Sequence, residues 1–490
     1  MSGVETGTIK TDIPARLDRL PWARWHWLVV IGLGTVWILD GLEVTIVGSM
    51  SDALKPDGPG LGMTSHDIGV AGAVYVAGAC VGALFFGQLT DRFGRKKLFL
   101  ITLGVYTVGT VLTAFSMNPM WYFACRFLTG TGIGGEYAAI NSAIDELIPA
   151  KFRGRVDIAI NGSFWIGAAG GSLLTIPLLD PTIFDQGLGW RLAFGLGAIL
   201  AVGILFVRRS VPESPRWLFI HGREDESEEI VRDIEHTITE ETGRDLPSVS
   251  ETLTIRQRRT IPLPMIARTV FTLYPRRTIL CFSLFVGQAF LYNAFFFTYG
   301  DTLSTFLGVK TVGIYIAVFA VSNFLGAIAL SPLFDIVGRV QMIAGTYILS
   351  GVLLAIAGTM LGGLSAVTLT IFGAVIFFFA SAGASAAYLT ASEVFPMETR
   401  ALCIAFFYAI GTAVGGISGP LLFGSLIDNA SADKDITGIA IGYFIGAALM
   451  VTGGVIEIFL GVNAEGQSLE NIAKPLTAED DDAQAAPANA

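Results

Sequence analysis

Polar residues along the 490-residue chain gather into short stretches that separate long apolar runs. A helix needs about 20 apolar residues to cross a hydrocarbon core of roughly 30 Å. Runs of that kind fall at Trp27–Met50, Ile68–Leu89, Leu98–Phe115, Trp121–Ile144, Val156–Leu179 and Leu192–Val207. After a polar stretch they resume at Thr278–Tyr299, Val312–Leu330, Val340–Leu361, Ala366–Ala391, Ala401–Ile427 and Ile436–Val462. The pattern predicts an all-α polytopic membrane protein with twelve transmembrane helices, six plus six. It divides the chain into an N-terminal segment (1–26), a six-helix bundle (27–209), a linker with short helices (210–275), a second bundle (276–463) and a tail (464–490). The first run follows a charged leader and carries acidic residues, so it is not read as a cleaved signal peptide. Within the linker, Glu224–Glu241 reads as a surface helix, and the acidic, alanine-rich tail reads as disordered.

Composition narrows the picture further. Hydrophobic residues make up 52% and charged residues only 15%, with 58 glycines and a mean hydropathy of +0.63. Soluble domains carry roughly 25% charge, so a soluble enzyme is excluded. A net charge of −10 argues against a nucleic-acid partner, which needs a basic face. Cys80, Cys125, Cys281 and Cys403 sit in apolar runs without metal-ligand spacing, so neither a disulfide framework nor a metal is expected. Lys and Arg set the orientation. Thirteen of them, from Lys10 to Arg24, Arg92 to Lys97, Lys151 to Arg155, Arg339 and Arg400, fall on one side. Four (Lys55, Arg191, Lys310, Lys434) fall on the other. Both termini are therefore expected in the cytoplasm, with the protein in the cell membrane.

The two halves repeat. Asp91–Arg95 (DRFGR) recurs as Asp335–Arg339 (DIVGR), and Glu146–Arg153 (ELIPAKFR) as Glu393–Arg400 (EVFPMETR), at offsets of 244 and 247 residues. Two matches at nearly one offset imply a duplicated six-helix unit, the layout of transporters in which two bundles rock about a central site. GQLTDRFGRKK (Gly87–Lys97) matches the loop signature of the major facilitator superfamily. RFLTGTGIGGEY (Arg126–Tyr137), the paired E-x-x-P-x-x-x-R motifs and PESPRWL (Pro212–Leu218) resemble its sugar porter and metabolite:proton symporter branch. The resemblance implies a charge network of Arg95, Glu146, Arg153, Arg339, Glu393 and Arg400 that latches the inner ends of the bundles, with Asp91 and Asp335 as the acids of the loop motif. Departures on the seventh run (GQAFLYN, Gln288 and Asn293 kept), the tenth (ASAAYLTASE, Tyr388 near a tryptophan position) and the closing VNAEGQSLEN put a sugar cargo in doubt.

Charges inside the spans are the informative ones, since each costs about 2.5–3.5 kcal/mol at the bilayer centre. Asp40 and Glu43 lie three apart on the first run, and Arg126 and Glu136 lie on the fourth. Depth arithmetic at 1.5 Å per residue puts Asp40 about 20 Å and Arg126 about 21 Å above the inner boundary, which pairs them. The reading makes Asp40 the proton carrier released by Arg126. Glu43 as carrier, or a static pair, stays open. Glu136 is either a second coupling residue or a partner of the inner arginines. The Gly130-x-Gly132-x-x-Gly135 run fits a dinucleotide fingerprint but lacks a preceding strand, so it reads as close helix packing. For substrate, the seventh run offers Gln288, Tyr292 and Asn293, joined by Asn161, Trp165 and Tyr388. Gln288 and Asn293 are about 140° apart around a helix, so both meet one cavity only if it is wide or the helix is broken. The expectation is a monomeric, cofactor-free transporter that takes up a small polar metabolite with a proton. An exporter or an uncoupled facilitator on the same fold is the alternative.

Overall fold

A computed structural model describes residues 5–55, 60–208, 212–249, 252–258, 267–396, 399–431 and 435–473. The acidic end of the tail lies outside them. A short helix α1 (Ile13–Asp18) precedes the bundle. Bundle helices follow as α2 (Arg24–Ser49), α3 (Ser65–Phe93), α4 (Arg95–Ala114), α5 (Pro119–Leu147), α6 (Arg153–Gly162), α7 (Phe164–Leu178) and α8 (Gln186–Arg208). The linker forms α9 (Pro215–Ile220) and α10 (Glu224–Thr242). The second half comprises α11 (Pro275–Leu307), α12 (Val312–Ile336), α13 (Arg339–Met360), α14 (Ala366–Glu393), α15 (Arg400–Thr412), α16 (Ser418–Ser431) and α17 (Ala440–Leu460).

Ten helical stretches among the described residues are long and apolar enough to cross a membrane, against the twelve runs read from sequence. The fourth run folds as α5, which is 29 residues long and carries Arg126, Glu136 and Glu146 along its length. The fifth run is not one helix. It divides into α6 and α7 at Ser163, whose Oγ bonds the Gly34 carbonyl at 3.0 Å as well as the carbonyl of Ile160. The eleventh run passes through a π turn (Ala413–Ile417) between α15 and α16.

Local chemistry sets the helix starts. Thr64 and Asp67 close a reciprocal capping box at α3, Ser365 and Thr368 close one at α14, and Asn118 caps α5 ahead of Pro119; such caps satisfy amides that have no intrahelical partner. The glycines of the two D-x-x-G-R motifs adopt the same backbone: Gly94 at φ 90° before α4 and Gly338 at φ 116° before α13. Only glycine takes up such a turn without strain, so the sequence repeat is also a conformational one. α3 packs most closely on α5. A Cβ on Gly134 would lie 1.8 Å from the Ala79 carbonyl oxygen, and one on Gly130 would lie 2.0 Å from that of Tyr75. The glycine-rich run is a packing surface.

Between the halves, α3 meets α15 and α16, α12 meets α6 and α7, and α2 meets α11. Exchanging the halves turns the first contact into the second and leaves the third in place, as a two-fold repeat requires.

One feature had no sequence signal. Strand β1 (Glu5–Thr11) pairs antiparallel with β2 (Leu253–Arg258), placing Ile9 opposite Ile255. Beside it lies a second apolar cluster, in which Ile13, Leu17, Leu20 and Ala23 bury against Phe219, Ile220, Val231, Ile234 and Ile238. The leader and the linker thus fold together as a small layer on the end of the bundle.

Candidate functional site

Helices α2, α3, α5, α6, α7, α11, α14 and α15 surround a partly open cavity of about 130 Å³. All six residues singled out for cargo line it: Asn161, Trp165, Gln288, Tyr292, Asn293 and Tyr388. α11 is an unbroken 33-residue helix, so Gln288 and Asn293 share the cavity because it is wide. Tyr292 Oη donates to Asn323 Oδ1 at 2.8 Å, and Asn293 Nδ2 donates to the Ala289 carbonyl at 2.8 Å.

Sequence reasoning missed the rest of the wall. Trp37, Tyr75, Tyr137, Tyr408 and Thr412 also line the cavity. Trp37 stacks on Tyr137 with centroids 4.6 Å apart and 5° between planes, and Trp165 lies 5.3 Å from Tyr292 and 4.9 Å from Phe296. Trp37 Nε1, Tyr75 Oη and Thr412 Oγ1 are buried with no hydrogen-bond partner among the described residues. Buried polar atoms are nearly always paired, so these three are free to meet a bound molecule. An aromatic residue in an apolar span carries no mark that separates cavity wall from core, which explains why the sequence did not single out Trp37, Tyr75, Tyr137 and Tyr408.

The buried charges form a second group behind this wall. Arg126 pairs with Glu43, Nη1 to Oε1 at 2.5 Å, and both side chains are almost wholly buried. This corrects the Asp40–Arg126 pair. Asp40 and Glu43 differ by only about 60° and 4.5 Å along α2, well within the reach of an arginine, so matching heights could not choose between them. Glu43 fits because α8 offers Gly197 opposite it, where a Cβ would lie 3.1 Å from Oε2, and because Thr110 Oγ1 lies 3.5 Å from Oε1. Arg126 Cζ lies 4.5 Å from the centroid of the Tyr75 ring, a cation–π contact worth about 2 kcal/mol when desolvated. Asp40 is 1% exposed, and its Oδ2 has no hydrogen-bond partner among the described residues. The charged groups in its electrostatic reach are Glu136 and Glu43, both acids. None of Asp40, Glu43, Arg126 and Glu136 is among the described residues lining the cavity.

At the end of the bundle that carries the linker, Arg339 grips Glu393 through two hydrogen bonds of 3.0 Å and Asp335 through one of 2.9 Å. Asp335 also accepts from the backbone and side chain of Arg155, which joins the halves. Glu146 accepts from Ser214 Oγ at the start of α9, and Arg153 pairs with Asp18 at 3.3 Å. Arg400 is fully buried. The side chains of Asp91 and Arg95 lie outside the described residues. At the opposite end, Lys55 pairs with Asp301, again between halves.

This central cavity between halves that are joined by ion pairs at both ends suits a carrier. Residues 28–475 match the model of the "Sugar (and other) transporter" family. The chain belongs to that family. It is 27% identical over 469 residues to the niacin transporter NiaP of Acinetobacter baylyi, covering 94% of this chain and 99% of that one. Its fold matches the major facilitator proton:xylose symporter XylE bound to 6-bromo-6-deoxy-D-glucose, with a TM-score of 0.71 at 17% identity over 91% of this chain and 98% of that one. A partially occluded, inward-open form of XylE from E. coli gives 0.65 at 16% identity over 90% and 99%. The protein is a multi-pass membrane transporter of the major facilitator type, and its relatives are transporters.

Proposed function

We propose that this transporter takes up a small, ring-bearing polar metabolite together with a proton by alternating access, with both termini on the cytoplasmic side of the cell membrane. The observation that carries the reading is Asp40, a carboxyl buried in the bundle with acids in its electrostatic reach and Arg126 committed to Glu43. A charge so placed is costly, and a bound proton removes it. A side chain that is neutral when protonated and charged when empty gives the two bundle arrangements something to discriminate. Glu43 and Arg126 set the field in which that proton is held.

The cavity supports the choice of cargo. Trp165, Tyr292 and Phe296 offer ring faces, while Gln288, Asn293, Asn161, Trp37 and Thr412 offer polar edges. That set suits a flat heterocyclic acid such as the nicotinate its relative is named for, and equally a pyranose. One proton supplies roughly 2.3 kcal/mol per 100 mV, enough to concentrate a neutral cargo about 50-fold at that potential. The test is uptake of labelled sugars, nicotinate and short organic acids into proteoliposomes with and without an inward proton gradient. Accumulation that needs the gradient supports symport. Counterflow with no effect of the gradient would replace it with an uncoupled facilitator, and gradient-driven extrusion would replace it with an exporter.

A further inference from the structure

The cavity and the buried charges are neighbours that share no surface, and what separates them is aromatic. Tyr75 belongs to both: it lines the cavity, and the Arg126 guanidinium lies against its ring at 4.5 Å. We infer that Tyr75 is the positioning residue that transmits the state of the cavity to the Glu43–Arg126 pair, so that cargo and proton are linked through a ring and not by direct contact. This rests on the proton-coupled reading above.

The backbone around Tyr75 has no slack. Gly130, four residues beyond Arg126 on α5, sits directly on the Tyr75 carbonyl, where a Cβ would come within 2.0 Å. The side chain is held by packing alone, with Arg126 on its ring and Phe297 edge-on at 6.1 Å between centroids. Its hydroxyl has no partner among the described residues, so no hydrogen bond fixes the ring in place. On the far side, Arg126 Nη1 bonds Glu43 Oε1 at 2.5 Å while Nη2 has no hydrogen-bond partner among the described residues. Displacing the ring removes the surface on which the guanidinium lies and moves Nη1 relative to Glu43. The other ionisable groups around this point are Asp40 on α2, Tyr106 on α4, Tyr122, Cys125, Glu136 and Tyr137 on α5 and Tyr408 on α15. The coupling is reciprocal by thermodynamic necessity: a change of proton occupancy behind Tyr75 must alter the cavity in front of it.

That reciprocity gives a test that needs no cargo. A bimane fluorophore on Thr412→Cys reports the cavity in the full-length protein in nanodiscs, titrated from mildly acidic to mildly basic pH. The emission is expected to titrate in the reporter parent and in Tyr75→Phe, which keeps the ring under the guanidinium. It is expected to stay flat in Tyr75→Leu, with Tyr75→Met as a second ring-less variant should the first not fold. Loss of the titration in Asp40→Asn and Glu43→Gln but not in the ring-less variants would overturn the role of Tyr75 and leave proton coupling standing. A flat titration in the parent would overturn the link between cavity and charges altogether, while proton-driven uptake remains separately measurable.

Discussion

Arg155 donates its backbone N–H at 3.1 Å and its side-chain Nε–H at 3.2 Å to the same oxygen of Asp335, 180 residues away in the chain. Asp335 uses its other oxygen to hold Arg339, which in turn holds Glu393. A Cβ on the intervening Gly154 would lie 2.5 Å from both Arg339 Nη1 and Asp335 Oδ1. One carboxylate therefore ties the halves together at the end that carries the linker, with Lys55–Asp301 as its counterpart at the other end.

Cutting that tie should favour opening at the linker end. An exposed bridge is worth about 0–1 kcal/mol, and Arg155 is 42% exposed, so Asp335→Asn is expected to raise that open population up to about fivefold. The check is the labelling rate of Asn161→Cys by a membrane-impermeant thiol reagent added from the linker side. The four native cysteines are buried and leave a low background.

The Glu43–Arg126 pair should behave as a unit. Removing one partner of a buried pair leaves an uncompensated charge, at a cost of about 3–5 kcal/mol. Arg126→Met and Glu43→Gln are each expected to lower thermal stability in detergent, and the double variant to lose less than the sum of the two. A double variant whose loss equals that sum would show that the two residues do not interact.

The sequence announced most of the bundle, because the bilayer demands long apolar runs and the repeat is written in D-x-x-G-R and E-x-x-P-x-x-x-R. It showed less of the centre. Height along a helix follows from counting residues, but which of Asp40 and Glu43 meets Arg126 depends on side-chain reach and on Gly197 leaving room opposite. Trp37, Tyr75 and Tyr137 carry no mark in the sequence, because an aromatic ring beside a cavity and one inside a core occupy the same apolar run. The β1–β2 pairing joins short segments almost 250 residues apart, and neither carries a turn or an apolar alternation that points to the other.

Glycine substitutions should separate close packing from open positions on neighbouring helices. Gly134→Ala brings a Cβ within 1.8 Å of the Ala79 carbonyl, whereas Gly104 has nothing within 4 Å. Overpacking costs about 1–3 kcal/mol, so the first variant is expected to melt several degrees lower and the second to melt with the parent.

Acid should loosen the leader–linker layer. Glu235 is partly buried, which opposes its ionisation, but hydrogen bonds and charge from Arg16 and Arg19 prevail and hold its carboxyl below the ordinary 4.5. Arg16 stays charged, its guanidinium shifted upward by hydrogen bonding to Glu235. A depressed carboxyl stabilises above its ordinary value and loses that contribution as the pH falls through the folded value. The protection factors of the amides over Ile13–Leu20, with the intrinsic pH dependence of exchange divided out, are therefore expected to be high at neutral pH and to fall below pH 4.5. Glu235→Gln should raise exchange at neutral pH and flatten the dependence.

In the proposed mechanism the carboxyl of Asp40 takes up and gives up the coupled proton. The direct measurement is uphill uptake of the cargo by Asp40→Asn proteoliposomes under an inward proton gradient, beside counterflow in the same vesicles. Counterflow is expected near that of the parent, with no accumulation above equal concentrations. Full gradient-driven accumulation by Asp40→Asn would contradict it.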